Sequence, residues 1–371
     1  MNPKSRPTIL TVVGARPQFV KAAPLSRALR RRFREVLVHT GQHYDAEMSD
    51  RFFEELRIPR PDVHLGIRSG SHGAMTGRML EALERVMAEI RPDAVVVLGD
   101  TNSTLAGALA AAKLHLPVAH VEAGLRSFDP RMPEEVNRRL TDHVSSLLLC
   151  PTSTAVRNLR KEGITRGVHR VGDVMMDAVR QNLARSRRAR RARELTKHSY
   201  YLATIHRQEN TDDGERLAAL VGALERLPHP VVLPLHPRTR ERLARMGRKP
   251  GGAVRVTKPV SYLEMLVLES RARAILTDSG GVQKEAFILG TPCITLRDTT
   301  EWVETVRAGA NRLVGVDPVL VLRAVRDIER ARPRWSPGGV YGRGRACEAV
   351  ARVVSGFLGR SSRAGVTRRA G

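Results

Sequence analysis

The stretch ILTDSGGVQKEAFIL, residues 275–289, holds residue types and spacing suited to binding a phosphorylated ligand. A short apolar run ends in Thr277 and Asp278. Ser279, Gly280 and Gly281 then open an expected helix, and Glu285 follows one turn in. Paired glycines let backbone N–H groups approach an anion, and a helix start supplies unsatisfied donors and the positive end of the dipole. A carboxylate one turn further can accept both hydroxyls of a ribose. The plain alternative is an ordinary strand–turn–helix whose glycines allow close packing.

Other polar clusters sit where apolar runs end, which is where open α/β sheets bind ligands. In GARPQFVK, residues 14–21, Arg16 and Lys21 read as phosphate ligands or as surface charge. One glycine there cannot make the G-x-G-x-x-G dinucleotide fingerprint, which counts against redox chemistry through a nicotinamide. Asp100, in GDTNS, is a candidate acid/base group or a helix cap. Glu122, in HVEAGLR, directly follows a buried-looking run, although strand ends are exposed places. Glu134 follows Pro133 and precedes Glu135, a pattern that equally makes a good first helical turn. His206, in TIHRQEN, is echoed by His236 one strand later, and no HExxH or other zinc spacing occurs. Carboxylates in the first half and anion ligands in the second point to an enzyme using a nucleotide-diphosphate substrate in an inter-domain cleft.

The elements that must carry these residues alternate. Runs at 9–13, 36–39, 94–98, 118–121 and 147–150 are short, apolar and continuous, as strands buried on both faces should be. Helical segments are expected between them at 24–32, 46–56, 72–90, 101–113 and 133–145. The fold class is therefore α/β, with parallel, doubly wound sheets. A charged, strand-poor stretch at 179–197 reads as a basic connection. It separates a first domain at 1–178 from a second α/β series at 198–345. A final helix at 347–358 is expected to pack back on the first domain, and 360–371 reads as a disordered tail.

Length alone suggests about two domains for 371 residues. No apolar run reaches the roughly 18 residues of a membrane span, and the N-terminal run is too short and lacks the cleavage site of a signal peptide. Cys150, Cys293 and Cys347 form no CxxC pair, which argues against a disulfide framework or a zinc site and suits a reducing cytoplasm. The net charge of +25 raises nucleic acid as a partner. The excess lies largely in runs at 180–193 and 360–369 without interleaved aromatics, so no nucleic acid is expected and a solvated, arginine-biased surface is the simpler reading.

In combination, GARPQFVKAAPL, TGQHYD, LGDTNSTLAGALAA, HVEAGLRSFDPRMPEEVNRRLTDH, VGDVMMDA, HRQENTDD and LTDSGGVQKEAFILGTPCITLRDTTE resemble the non-hydrolysing UDP-N-acetylglucosamine 2-epimerases over about residues 8–317. The resemblance implies two Rossmann-like domains in the GT-B arrangement. It also implies reversible conversion of UDP-GlcNAc to UDP-ManNAc without metal or nicotinamide cofactor, and a place in cell-surface polysaccharide biosynthesis. The expected assembly is a homodimer. By motif, Asp100, Glu122 and Glu134 are implied as catalytic carboxylates, with His206 beside them. Arg16, His206, Ser279 and Gly280 would hold the diphosphate together with Gly281, and Glu285 the ribose. Lys21 and Arg297 match further substrate-binding positions. Gln42 and His43 match a region where some bacterial members bind a second UDP-GlcNAc as activator, although Asp45 departs from that pattern.

Two departures bear on the sugar. Commoner forms of the family read Glu where this chain has Gln18, and Arg-Pro where it has Trp302-Val303. Both features look closer to a branch acting on UDP-2,3-diacetamido-2,3-dideoxyglucuronic acid. UDP-GlcNAc is the first expectation and the diacetamido-uronate the alternative. A UDP-sugar glycosyltransferase would share the DSGG segment but would not need Asp100, Glu122 and Glu134 as a group. A basic nucleic-acid binding module is the remaining non-enzymatic reading.

Overall fold

The computed structural model describes residues 6–42, 53–186, 189–196 and 198–367. The chain divides into two compact units, Met1–Ala178 with Val340–Gly371, and Val179–Gly339. Among the described residues the first unit forms a seven-stranded sheet. Its strands are β1 (Thr8–Val13), β2 (Arg34–His39), β3 (Val63–His64), β4 (Ala94–Leu98), β5 (Val118–Val121), β6 (Leu147–Cys150) and β7 (Val168–Arg170). Their order is β3-β2-β1-β4-β5-β6-β7, parallel throughout. In the second unit β8 (Tyr201–Thr204), β9 (Val231–Pro234), β10 (Val254–Thr257), β11 (Ile275–Thr277), β12 (Cys293–Thr295) and β13 (Asn311–Leu313) lie in the order β10-β9-β8-β11-β12-β13, again all parallel.

Both orders reverse direction beside the first strand, between β1 and β4 and between β8 and β11. These are the switch points where successive connections run to opposite faces and leave the carboxyl ends of two strands open to a ligand. The strands are short apolar runs because helices cover both faces: every residue of β4, AVVVL, is buried. The expected doubly wound α/β class is what the chain adopts.

The expected helix at 24–32 instead runs over Arg16–Arg30, with Pro24 inside it. Pro17 is tolerated in the first turn, where N–H groups lack intrahelical partners, and the Gln18 side chain returns to the backbone N–H of Ala15. That bond starts the helix two turns before the proline at which the sequence suggests a beginning. Helix Val174–Ser186 crosses the boundary between the units and enters the stretch read as a basic connection. The final helix, Ala346–Thr367, docks through Ala346, Cys347, Val350, Ala351, Val354 and Leu358. Asp177 caps it, accepting from the N–H groups of Ala346 and Cys347 at 3.0 and 3.1 Å. It continues past Gly359, so 360–367 is helical where a disordered tail was expected. Of the described helices, none is long and apolar enough to cross a membrane.

Candidate active site

In the first unit the ends of β1 and β4 are laced together by Gln18. Its Oε1 accepts from Gly14 N and Ala15 N at 2.8 and 2.9 Å, and its Nε2 donates to Leu98 O and Thr104 Oγ1 at 2.7 and 3.0 Å. Two donors and two acceptors exhaust the amide. Gln18 therefore holds the loop with all of its hydrogen-bonding capacity. Gly14 is needed for space: a Cβ there would lie 2.1 Å from Ser103 Oγ and 2.2 Å from Thr40 Oγ1. Those two hydroxyls bond each other at 2.8 Å. Gln42 belongs to the same turn, accepting from Ser103 N and Oγ at 3.1 and 2.7 Å, whereas His43 lies outside the described residues. Arg16 occupies the first position of its helix.

Lys21, one turn along that helix, bonds the Glu122 carboxylate directly, and both side chains are buried. Glu122 stands at the end of β5 with φ of 72°, a left-handed backbone unusual for a residue with a side chain. The conformation turns its carboxyl group back toward the end of β4: a Cβ on Gly99 would lie 3.5 Å from Glu122 Oε2. Asp100, next along, is about one-third exposed and pairs with Arg138 Nη2 at 2.5 Å. Thr101, not Asp100, caps the helix Asn102–Lys113.

Helix Pro133–Val144 supplies Arg138 and Glu134. The adjacent acids differ. Glu135 is buried and accepts from Ser127 N, Ser127 Oγ and Arg138 Nη1 at 2.8, 2.8 and 2.9 Å, while Glu134 is only half-buried. Glu135 is thus the structural member of the pair.

Beneath these groups runs a buried chain of charges that sequence reasoning did not single out. Arg126 Nη2 meets Glu162 at 2.7 Å and its Nη1 meets Asp142 Oδ2 at 2.7 Å. Asp142 Oδ1 faces His120 Nδ1 at 2.7 Å, and His120 Nε2 reaches Gly99 O at 2.7 Å. Burial works against a charge on Asp142, yet His120 and Arg126 hold it below the usual carboxylate range. The chain ends on the carbonyl preceding Asp100 and so pins that turn.

In the second unit His206 leaves the end of β8, and Asp278 leaves the end of β11. His206 Nδ1 lies 3.1 Å from Asp278 Oδ1, which leaves Nε2 on the outer side of a ring that is 40% exposed. The fully buried Asp278 also accepts from His206 N, Arg207 N and Asn210 Nδ2 at 3.0, 3.0 and 3.2 Å. Burial opposes its charge, but His206 and these N–H groups pull its carboxyl below the ordinary range. It is an orienting group for His206.

Ser279 caps the helix Gly280–Leu289, its Oγ accepting from Val282 N at 3.4 Å. A Cβ on Gly280 would meet Glu301 Oε1 at 2.5 Å, so a side chain at the helix start would force Glu301 to move. Gly281 follows in the same first turn. Glu285, one turn on, is buried. Arg297 is buried as well, paired with Glu301 at 3.2 Å and Glu209 at 3.6 Å. Trp302, one of the departures from the commoner pattern, covers Lys284, whose ammonium sits 4.2 Å from the ring centre. No group of three or more His, Cys, Asp or Glu with metal-ligand geometry occurs among the described residues.

The first unit thus brings together Lys21 with Glu122 and Asp100 with Arg138. The second gathers His206, Asp278 and the Ser279–Gly281 helix start. A family profile, UDP-N-acetylglucosamine 2-epimerase, matches residues 27–355. The chain is 51% identical to the UDP-2,3-diacetamido-2,3-dideoxy-D-glucuronate 2-epimerase of Pseudomonas aeruginosa, over 94% of this chain and 99% of the relative. The crystal structure of Methanocaldococcus jannaschii UDP-GlcNAc 2-epimerase in complex with UDP-GlcNAc and UDP is 44% identical, with a TM-score of 0.87 over 94% of this chain and 99% of that one. The Neisseria meningitidis UDP-GlcNAc 2-epimerase bound to UDP-GlcNAc is 30% identical, with a TM-score of 0.85 over the same shares. With a matching profile over most of its length and relatives aligned nearly end to end, the chain belongs to the UDP-N-acetylglucosamine 2-epimerase family of isomerases.

Proposed function

We propose that this chain inverts C2 of a UDP-2-acetamido sugar, and that its sugar is 2,3-diacetamido-2,3-dideoxy-D-glucuronate. The observation that carries the choice of sugar is the 51% identity to the Pseudomonas aeruginosa enzyme of that name, against 44% to the Methanocaldococcus jannaschii UDP-GlcNAc 2-epimerase. UDP-GlcNAc is the second reading, favoured by its presence in the 44%-identical solved structure. Gln18, spent on its own loop, does not decide between them.

The chemistry accounts for the residue types. The C2 proton has no neighbouring carbonyl and is too weakly acidic for direct removal. Breaking the C1–O bond to the diphosphate builds positive character at C1 and makes that proton labile. A carboxylate takes the proton, a C1–C2 double bond forms, and UDP leaves with the C1–O electron pair. Delivery of a proton to the opposite face of C2, with return of the diphosphate oxygen to C1, gives the epimer. Two faces require at least two acid/base groups, the role assigned to Asp100, Glu122 and Glu134. Lys21 balances Glu122, and Arg138 balances Asp100. Arg16, His206 and the Ser279-Gly280-Gly281 amides are assigned to the departing diphosphate, where negative charge develops. Arg297 is assigned to the same ligand and Glu285 to the ribose.

Separate incubations with the two UDP-sugars in deuterium oxide, followed by proton NMR, test the reading. Deuterium entry at C2 and appearance of the epimer are expected with the diacetamido-uronate. A higher kcat/KM for UDP-GlcNAc would transfer the function to the second reading, and no exchange with either would end both.

A further inference from the structure

The turn that carries Asp100 is tied, through one residue, to the strand that leads into Glu122. Gly99, directly before Asp100, donates its N–H to Val121 O at 3.0 Å. Its carbonyl accepts from His120 Nε2 at 2.7 Å. His120 and Val121 are the last two residues of β5, and Glu122 follows at once. Gly99 has φ of 66°, a left-handed conformation that glycine adopts without a steric penalty. The chain therefore turns sharply there, and its direction into Asp100 depends on how Gly99 is held. Arg138 and Asn137 also hold Asp100, but from the helix Pro133–Val144. The last ladder bond and the His120 side chain thus set the backbone at Asp100 against the backbone at Glu122.

His120 is fully buried, and its Nδ1 lies 2.7 Å from Oδ1 of the equally buried Asp142. A carbonyl and an ionised carboxylate have no hydrogen to give, so both ring nitrogens donate. Asp142 has other company: its Oδ2 accepts from Arg126 Nη1 at 2.7 Å and from Gly124 N at 3.0 Å. The contribution particular to His120 is its second bond, to Gly99. A ring held from behind by a fixed carboxylate offers that bond in one direction. We infer that His120 is a positioning residue, which by donating to Gly99 O sets Asp100 against Glu122 and so keeps the two proton transfers at C2 in step. The inference rests on the elimination and re-addition reading above. It adds to that reading a buried side chain that touches no ligand and decides whether the unsaturated sugar is reprotonated before it escapes.

The test counts free UDP, released with the unsaturated sugar, per epimer formed by the full chain, with each of the two UDP-sugars in turn. Escape needs no second proton transfer, whereas the epimer does, so the ratio reports how well the two carboxylates are matched. It does not depend on how much of the chain is folded, which is what a merely structural role would change. His120→Asn keeps an amide near Asp142 but is too short to reach Gly99. His120→Gln reaches Gly99 with its amide N–H. In the Asn variant the ratio should rise by about tenfold or more, within the 10²-fold that about 1 Å of misplacement costs. In the Gln variant, with the donor restored, it should stay within about threefold of wild type. Should the Asn variant fail to fold, His120→Phe, a ring without donors, is read in the same way. A wild-type ratio in the Asn or Phe variant would overturn the inference, as would an equal rise in the Gln variant. A wild-type chain that epimerises neither sugar would sink the elimination reading itself, and this inference with it.

Discussion

Arg138 Nη2 lies 2.5 Å from Asp100 Oδ2, while its Nη1 lies 2.9 Å from Glu135 Oε2. One buried guanidinium therefore ties an acid at the end of β4 to an acid of the helix that also carries Glu134. Arg138→Gln should fold, since an amide can serve Glu135, but should leave Asp100 without its charged partner. Misplacement of a reacting group by about 1 Å costs on the order of 10²-fold in rate. We expect a loss of that size in kcat, with UDP binding retained. Unchanged turnover, measured by NMR of the epimerising sugar, would detach Asp100 from its assigned role or Arg138 from Asp100.

The bond between Lys21 and Glu122 leads to a double-mutant test. Glu122→Gln is expected to fold and to lose on the order of 10²-fold or more in turnover, as are Asp100→Asn and Glu134→Gln. Lys21→Met should destabilise the chain by about 3–5 kcal/mol, because it strands a buried carboxylate. Adding Glu122→Gln to Lys21→Met should recover most of that loss. Chemical denaturation of the four chains gives the coupling. Additive effects would show that the pair carries no interaction of its own.

Much of this architecture was legible because it rests on continuous apolar runs. The strands at 94–98, 118–121 and 147–150 coincide with the runs AVVVL, VAHV and LLLC. The start of the first helix was not legible, since Pro24 reads as a beginning and the Gln18 bond that overrides it depends on a folded loop. The polar motifs placed candidates at strand ends but not their partners. Asp100 finds Arg138 at a separation of 38 residues, and Lys21 finds Glu122 at 101, and no local pattern encodes such pairings. Asp278 and His120 were visible inside motifs, yet their burial, which makes them orienting groups, is a tertiary property.

Acid sensitivity should centre on His39. At the end of β2 it is buried against Phe19 and Phe53, and it stacks on His64 at 4.6 Å. Burial, then the charge of His64, lowers its pKa from 6.5 to about 4. The folded chain thus refuses a proton that the unfolded chain accepts. Above pH 6.5 both forms are neutral and stability is unaffected. As pH falls from 6.5 toward 4 stability drains away, by about 3 kcal/mol in all. Urea unfolding across this window should show that slope, and His39→Phe should flatten it. Parallel curves for the two chains would remove His39 as the source.

The charge excess predicts a separation between activity and surface behaviour. The chain carries a net charge of +25, with arginines crowded near 185–193 and beyond Gly359. The helix Arg190–Leu195 docks through Ala192, which is buried in a cluster with Tyr200, Leu202 and Val267, and Leu195 packs against that cluster. Among the residues of the final helix whose burial is described, Leu358 is the last buried one. Stopping the chain after Gly359, or replacing Arg187, Arg188, Arg190 and Arg191 by Gln, therefore leaves the docking residues in place. Scattered surface changes typically cost under about 0.5 kcal/mol each. Turnover should match the parent chain in both variants, while retention on heparin should fall, because net charge governs nonspecific polyanion binding rather than the fold. A collapse of turnover with an unchanged melting temperature would show that these arginines serve the reaction, and the reading of them as a solvated surface would be wrong.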